Sequence, residues 1–228
     1  MKTNRTKTRK TIQFPRVLSL AALAAGGFLL ASFSAGAAGY KLADKAGASI
    51  AEFRDEIVEV KRSVDATVAS LDKIVAQATT DPRKAFKEFD KNVPGVESGA
   101  VKAKKRAEEM KARGKEYFEK WEKELANVND PDIRKLAAER KTKLEATFSN
   151  IKTTMEPARD QFNAWNSQLK DLQKYLGQDL TIGGIDAAKE LIAQSKKGGM
   201  EVQLTLDKVI AELNTVVATI TPAKAKKK

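Results

Sequence analysis

The sequence predicts an all-α fold: an elongated antiparallel helical bundle or coiled coil of about four long helices. Three observations predict it. Apolar residues recur every three and four positions from residue 42 onward. The stretches with this period are long, and cap-and-proline signals separate them. Breakers are scarce, with 13 Gly and 6 Pro in 228 residues, whereas sandwiches and barrels need many turns.

The first segment carries two seams, Ile50, Ile57, Val64, Leu71, Ala78 and Phe53, Val60, Thr67, Ile74. This is a heptad with one polar exception. Asp81-Pro82 closes it and starts the next segment, since Asp can cap a helix and Pro is tolerated in a first turn. The second segment has Phe86, Val93, Ala100, Ala107, Gly114, Trp121, Val128 and Phe89, Val96, Ala103, Met110, Tyr117. Pro94-Gly95 interrupts it and predicts a kink or short break. The small residues from Ala100 to Gly114 predict close helix approach.

Asn129-Asp130-Pro131 is the next cap-and-start signal. The third segment runs to about Gly177 on Leu144, Ile151, Ala158, Trp165, Leu172 and Phe148, Met155, Phe162, Leu169, Leu176, with Pro157 expected to bend it. Gly183-Gly184 marks the following turn. The fourth segment has Ile192, Gly199, Leu206, Leu213, Ile220 and Ala188, Ser195, Val202, Val209, Val216. Lys196-Lys197-Gly198-Gly199 is its expected fray or hinge. Short connections force consecutive helices to run antiparallel, giving a bundle roughly 55–70 Å long. The alternative packing is a two- or three-stranded coil that completes its core by dimerising.

The chain divides into 1–37, 38–220 and 221–228. Residues 1–16 are basic and polar, Val17 to Leu30 is apolar, and small residues lead to Ala35-Gly36-Ala37-Ala38. Basic head, apolar middle and small-x-small site form the grammar of a secretory signal, with cleavage after Ala37 or Ala38. The expected location is periplasmic or secreted. The alternative is an inner-membrane anchor through residues 17–38, and no second stretch approaches membrane-spanning length. No twin arginine precedes the apolar stretch, which favours general secretion.

The formal net charge of +12 looks like a nucleic-acid signal until it is located. Residues 1–37 hold six cations and no acid, and the last five residues hold Lys224, Lys226, Lys227 and Lys228. Residues 38–223 hold 32 cations against 30 acids and are nearly neutral. A nucleic-acid partner is not expected, because such a protein carries its charge on the folded face. From Thr221 the tail reads as disordered. Its four lysines are the candidate contact for an anionic envelope component such as phospholipid head groups or an acidic polymer, at about 1 kcal/mol each. A solubilising tail is the plainer reading.

Chemistry has a short menu. With no Cys there is no disulfide, thiolate metal site or Cys nucleophile, and with no His the usual general base and commonest metal ligand are missing. Paired acids such as Glu108-Glu109, Glu122 with Glu124, and Asp130 with Asp132 lie among Lys and Arg at helical spacing, as Glu119 does with Lys123. They read as solvated helix faces. A di-metal bundle needs Glu-x-x-His. No phosphate loop, nucleophile elbow or dinucleotide fingerprint occurs. Trp121 and Trp165 fall on seams and read as core. No catalytic residue, metal or cofactor is expected.

Three stretches carry a family resemblance: Phe118-Glu119-Lys120-Trp121-Glu122-Lys123-Glu124-Leu125, Asn129-Asp130-Pro131-Asp132-Ile133-Arg134, and Met155-Glu156-Pro157 followed by Phe162. On these, about residues 45–218 resemble an uncharacterised bacterial family, domain of unknown function 2959. The resemblance implies an exported helical protein. Many members carry a lipid-anchor cysteine, which this chain lacks, and the resemblance implies no activity or catalytic residue.

The expected function is a non-enzymatic structural or interaction protein of the bacterial cell envelope. Its expected partners are itself, through a coiled-coil oligomer, or an anionic envelope component, with membrane contact. The alternatives are a lipid- or membrane-surface-binding amphipathic helical protein and a periplasmic holdase-type chaperone.

Overall fold

A heptad seam folds only where neighbouring helices cover it, so helix ends and neighbours decide how far each seam is buried. The computed structural model describes residues 38–221. They form α1 (Ala38–Ala76), α2 (Arg83–Ala126), α3 (Pro131–Gln178), a six-residue α4 (Ile182–Ala187) and α5 (Lys189–Ile220), with no strand among the described residues. Residues 1–37, with Ala37, and the tail carrying Lys224, Lys226, Lys227 and Lys228 lie outside the described residues.

The helices stand in a square. α1 packs on α2 and α5, and α3 packs on the same two, so α1 faces α3 across a diagonal. The core therefore closes within one chain. Each edge carries polar pairs whose numbers run in opposite senses, so neighbours are antiparallel: Glu52–Arg106 and Lys73–Glu88 for α1–α2, Lys141–Glu122 and Lys170–Glu97 for α2–α3, Arg140–Thr219 and Gln161–Thr205 for α3–α5, and Arg54–Asn214 and Lys61–Asp207 for α1–α5. At 1.5 Å per residue, the 48 residues of α3 span about 70 Å. Residues 38–220 form an elongated helical bundle.

The seams are the core. All ten seam positions of the fourth segment are buried, as are eight of nine in the first, Ala78 being the exception beyond the end of α1. Thr67 is fully buried at its seam position, and its hydroxyl donates to the Ser63 carbonyl (2.7 Å) within the helix. Asp130 caps α3 as its spacing predicts, accepting from the Asp132 and Ile133 amides at 2.9 and 3.0 Å. Before α2, Asp81 accepts from the Arg83 amide at 3.2 Å, and Pro82 holds the N-cap position.

Of the kink or short break expected at Pro94-Gly95, the break is absent, since α2 is one helix through the pair. Val93 and Val96 are buried on either side of the pair and hold the helix to the core. Gly183-Gly184 lies inside α4, not in a turn. The connection is Asp179 to Thr181, and the Thr181 hydroxyl caps α4 by accepting from the Gly184 amide at 3.1 Å. Lys196 to Gly199 is not frayed, because α5 is continuous there. Gly199 sits where a Cβ would run into the Val68 side chain and lie 3.2 Å from the Trp165 ring, so the glycine pair is a place of close helix contact. Gly114 does the same for α2 and α3, since a Cβ there would meet Phe148 at 2.8 Å.

Candidate functional site

The four helices do not end together. Glu52 lies opposite Arg106, Val60 opposite Gly99 and Ala66 opposite Asn92. Carried along at one residue per 1.5 Å, this register sets Ala38 level with about Lys120. α5 ends earlier: Thr221 touches the Gly47 position of α1, and the Thr219 carbonyl accepts from Arg140 at 3.1 Å. Among the described residues only α2 and α3 reach beyond these levels, as a two-helix spur closed by residues 127–130.

Between Gly114 and Leu144 no residue is buried, although both legs remain rich in large apolar side chains. Tyr117, Phe118, Trp121, Leu125 and Val128 are half-buried, and Ile133 and Leu136 are 40% and 58% exposed. The aromatics cluster: Tyr117 lies 5.2 Å from Phe118 and 5.5 Å from Trp121, and Phe118 meets Phe148 of α3 edge-on at 5.2 Å. Partial burial pushes the Tyr117 phenol up to about 12, against a small opposing pull from Arg140. Trp121 is therefore not a core residue in the sense expected of it. Its seam position persists, but among the described residues α1 and α5 do not reach it. Trp165, on the same period where all four helices are present, is 2% exposed.

Polar groups brace the spur. The Arg134 guanidinium donates twice to the Val128 carbonyl (3.0 and 2.5 Å) and ties α3 to the connection before it. Lys141 joins the legs through Glu122 (3.6 Å) and pairs with Glu145 (3.1 Å). These bonds, led by the one to Glu145, raise its ammonium above the usual lysine value.

The carboxylate pairs named from the sequence are spread along helix faces. Glu109 bonds Arg106 (2.8 Å), Glu124 bonds Lys120, Glu122 faces Lys141, and Asp130 is a cap. Glu119 pairs with Lys115 (3.7 Å), not with Lys123. Among the described residues no cluster of three or more acids is arranged to hold a metal ion. The buried hydroxyls of Ser49, Thr67 and Ser70 each donate to a carbonyl three or four residues earlier. A shallow groove on α1 and α2 is lined by Glu59, Arg62, Ser63, Ala66, Lys91, Asn92 and Gly95, and the guanidinium of Arg62 is turned onto Glu59. No described helix is long and apolar enough to cross a membrane.

Sequence reasoning singled out Trp121 but not Phe118, Leu125, Ile133 or Leu136. A signal for them existed in segment length: the second segment's seams run from Phe86 to Val128, the fourth's only from Ala188 to Ile220. Unequal antiparallel helices must leave an overhang.

No curated protein and no solved structure matches the chain. The family described as Protein of unknown function (DUF2959) matches residues 37–220, the whole of the helical body, and the chain belongs to that family.

Proposed function

We propose that the chain is a non-enzymatic structural or interaction protein of the cell envelope. The observation that supports this reading is the contrast within one bundle. Over most of its length the apolar seams are sealed and the charged groups are spent on neighbouring helices, as in Lys61–Asp207 and Lys170–Glu97. At one end a spur of apolar and aromatic side chains stands out of that sealed body. Such an arrangement offers a rigid reach and a contact surface. The basic head, apolar middle and Ala37-Ala38 site of the first 38 residues support the envelope location.

The test is fractionation of the native host with sequencing of the protein's N-terminus. An envelope-associated pool starting at or near Ala38 is expected. A cytoplasmic pool starting at Met1 would sink the reading and restore nucleic acid as a partner. A second reading, binding to a lipid surface, draws on the exposed Ile133 and Leu136. Flotation with anionic vesicles at low salt separates the two, and no flotation removes it.

A further inference from the structure

From the outward strip of α5 we infer that this helix is a homodimerisation surface, pairing antiparallel with α5 of a second copy across a two-fold axis beside Leu204. The inference names a partner for the interaction reading above and rests on that reading. It uses neither the spur nor the location of the protein.

The first argument is the strip itself. Among the described residues α5 packs between α1 and α3, with its seams turned inward. The positions of the same heptad that face away from both helices are all exposed from Glu190 to Ala218. They include Met200 and Leu204, 51% and 64% exposed, with Ala193, Ala211 and Ala218 along the same line. Two large apolar side chains among alanines give a facing helix a centre to bury, and room to approach to about 8–10 Å between axes.

The second argument is charge, and it selects the occupant. Toward α1 the polar groups are used: Lys196 meets Asp72, Gln203 meets Asp65 and Asp207 meets Lys61. Away from α1, Lys197, Glu201, Lys208 and Glu212 form one strip, because steps of four, seven and four residues return to nearly the same side of a helix. Their order is plus, minus, plus, minus. Turned end over end, it becomes minus, plus, minus, plus. A second α5 running antiparallel therefore sets Lys197 opposite Glu212 of the second copy, and Glu201 opposite Lys208 of the second copy. The two-fold repeats both pairs around Leu204, which lies beside its own counterpart. The arrangement is isologous and closed.

The third argument is what the strip forbids. Sliding one copy by four residues in one direction opposes Lys197 to Lys208, and sliding it in the other opposes Glu201 to Glu212. A parallel pair sets every charge of the strip against itself. Of these arrangements, only the antiparallel one in register joins opposite charges throughout. An anionic membrane favours a cationic polar face and a broad apolar one, whereas this strip has equal charges of both signs around two large apolar side chains. The contact is one helix wide. The 32 residues of α5 span about 48 Å, and such a contact buries roughly 800–1,000 Å² in total, the range of a transient interface. The dimer therefore forms reversibly, at a concentration on the order of 0.1 mM.

The experiment uses the protein as recovered from its host and the same chain carrying Glu201→Lys, Lys208→Glu, or both. Sedimentation equilibrium up to about 1 mM is expected to show monomer and dimer in exchange. Each single reversal should weaken association about tenfold or more, since like charges then meet at two places. The double variant restores opposite charges across the axis and should recover the association of the parent. Circular dichroism melts check that every variant folds. The chain has no Cys, so Gln194→Cys gives a unique label site at an exposed position. A nitroxide there should lie roughly 30–40 Å from its counterpart, which stands level with Thr215. Should the double variant fail to fold, this distance decides alone. A chain that is monomeric at every concentration overturns the inference. So does a folded double variant that associates no better than the single reversals. So does an interspin distance of about 10 Å, the helix spacing of a parallel pair. A strip that joins anionic vesicles but not its own copy overturns it as well. None of these outcomes bears on envelope location, which fractionation decides separately.

Discussion

The indole N–H of Trp165 donates to the backbone carbonyl of Ser195 at 2.7 Å, inside the core where α3 crosses α5. The ring lies against Gly198 and Gly199, which leave it room, and stands edge-on to Phe162 with 6.2 Å between ring centres. One side chain thus joins two helices by a hydrogen bond and by shape. Trp165→Phe removes the bond and part of the volume and should cost about 1–3 kcal/mol of unfolding free energy. Trp165→Ala should cost about 3–5 kcal/mol. Urea denaturation followed by circular dichroism measures both, and equal stability of Trp165→Phe and the parent would remove the hydrogen bond from this account.

Two helical glycines should respond to alanine with opposite signs. At Gly199 the added methyl has to displace Val68 or the Trp165 ring, so Gly199→Ala should destabilise by about 1–3 kcal/mol despite the better helix propensity of alanine. At Gly95 nothing lies within 4 Å of the new Cβ, so Gly95→Ala should stabilise by about 0.5–1 kcal/mol. Paired thermal melts decide this. A stabilising Gly199→Ala would mean that α5 is looser there than its packing implies.

The α1–α5 edge is a polar ladder: Arg54 to Asn214 (3.1 Å), Lys61 to Asp207, Asp65 to Gln203, Asp72 to Lys196. Lys61 is raised above its usual value, foremost by its hydrogen bond to Asp207. All these groups are partly solvated, and a double-mutant cycle on Lys61 and Asp207 should return no more than about 1 kcal/mol, shrinking with salt. The ladder sets register more than stability. A coupling several times larger would show that the edge is drier than its exposure indicates.

Alkaline titration should report on the spur. Tyr117 holds its proton up to about 12, above the ordinary value of 10.0, so the folded state binds more protons than the unfolded state between those two pH values. Stability from this residue is complete below pH 10 and falls as pH rises toward 12. The loss should not exceed about 2 kcal/mol, since the ring is only half-buried. Absorbance of phenolate against pH should show a late-titrating component that Tyr117→Phe removes. A Tyr117 that ionises near 10.0 would mean that the base of the spur is open to solvent.

The sequence by itself determined the helices, their seams and their order. A heptad is a local statement about which side chains share a face, and caps such as Asp130 act within one turn, so both can be read without neighbours. Spacing placed Ile50, Phe53, Leu169 and Leu213 on seams, and all four are fully buried. Tertiary structure decided how far each seam is covered. Trp121 and Trp165 have the same place in the period, yet one is half-buried and the other sealed. The difference is that the described residues of α1 and α5 do not reach Trp121, and cover is a property of neighbours in space. Gly198-Gly199 reads locally as a weak point in a helix. Against Trp165 and Val68 it is a place of close helix contact, because the space a missing side chain leaves has meaning only once another helix fills it.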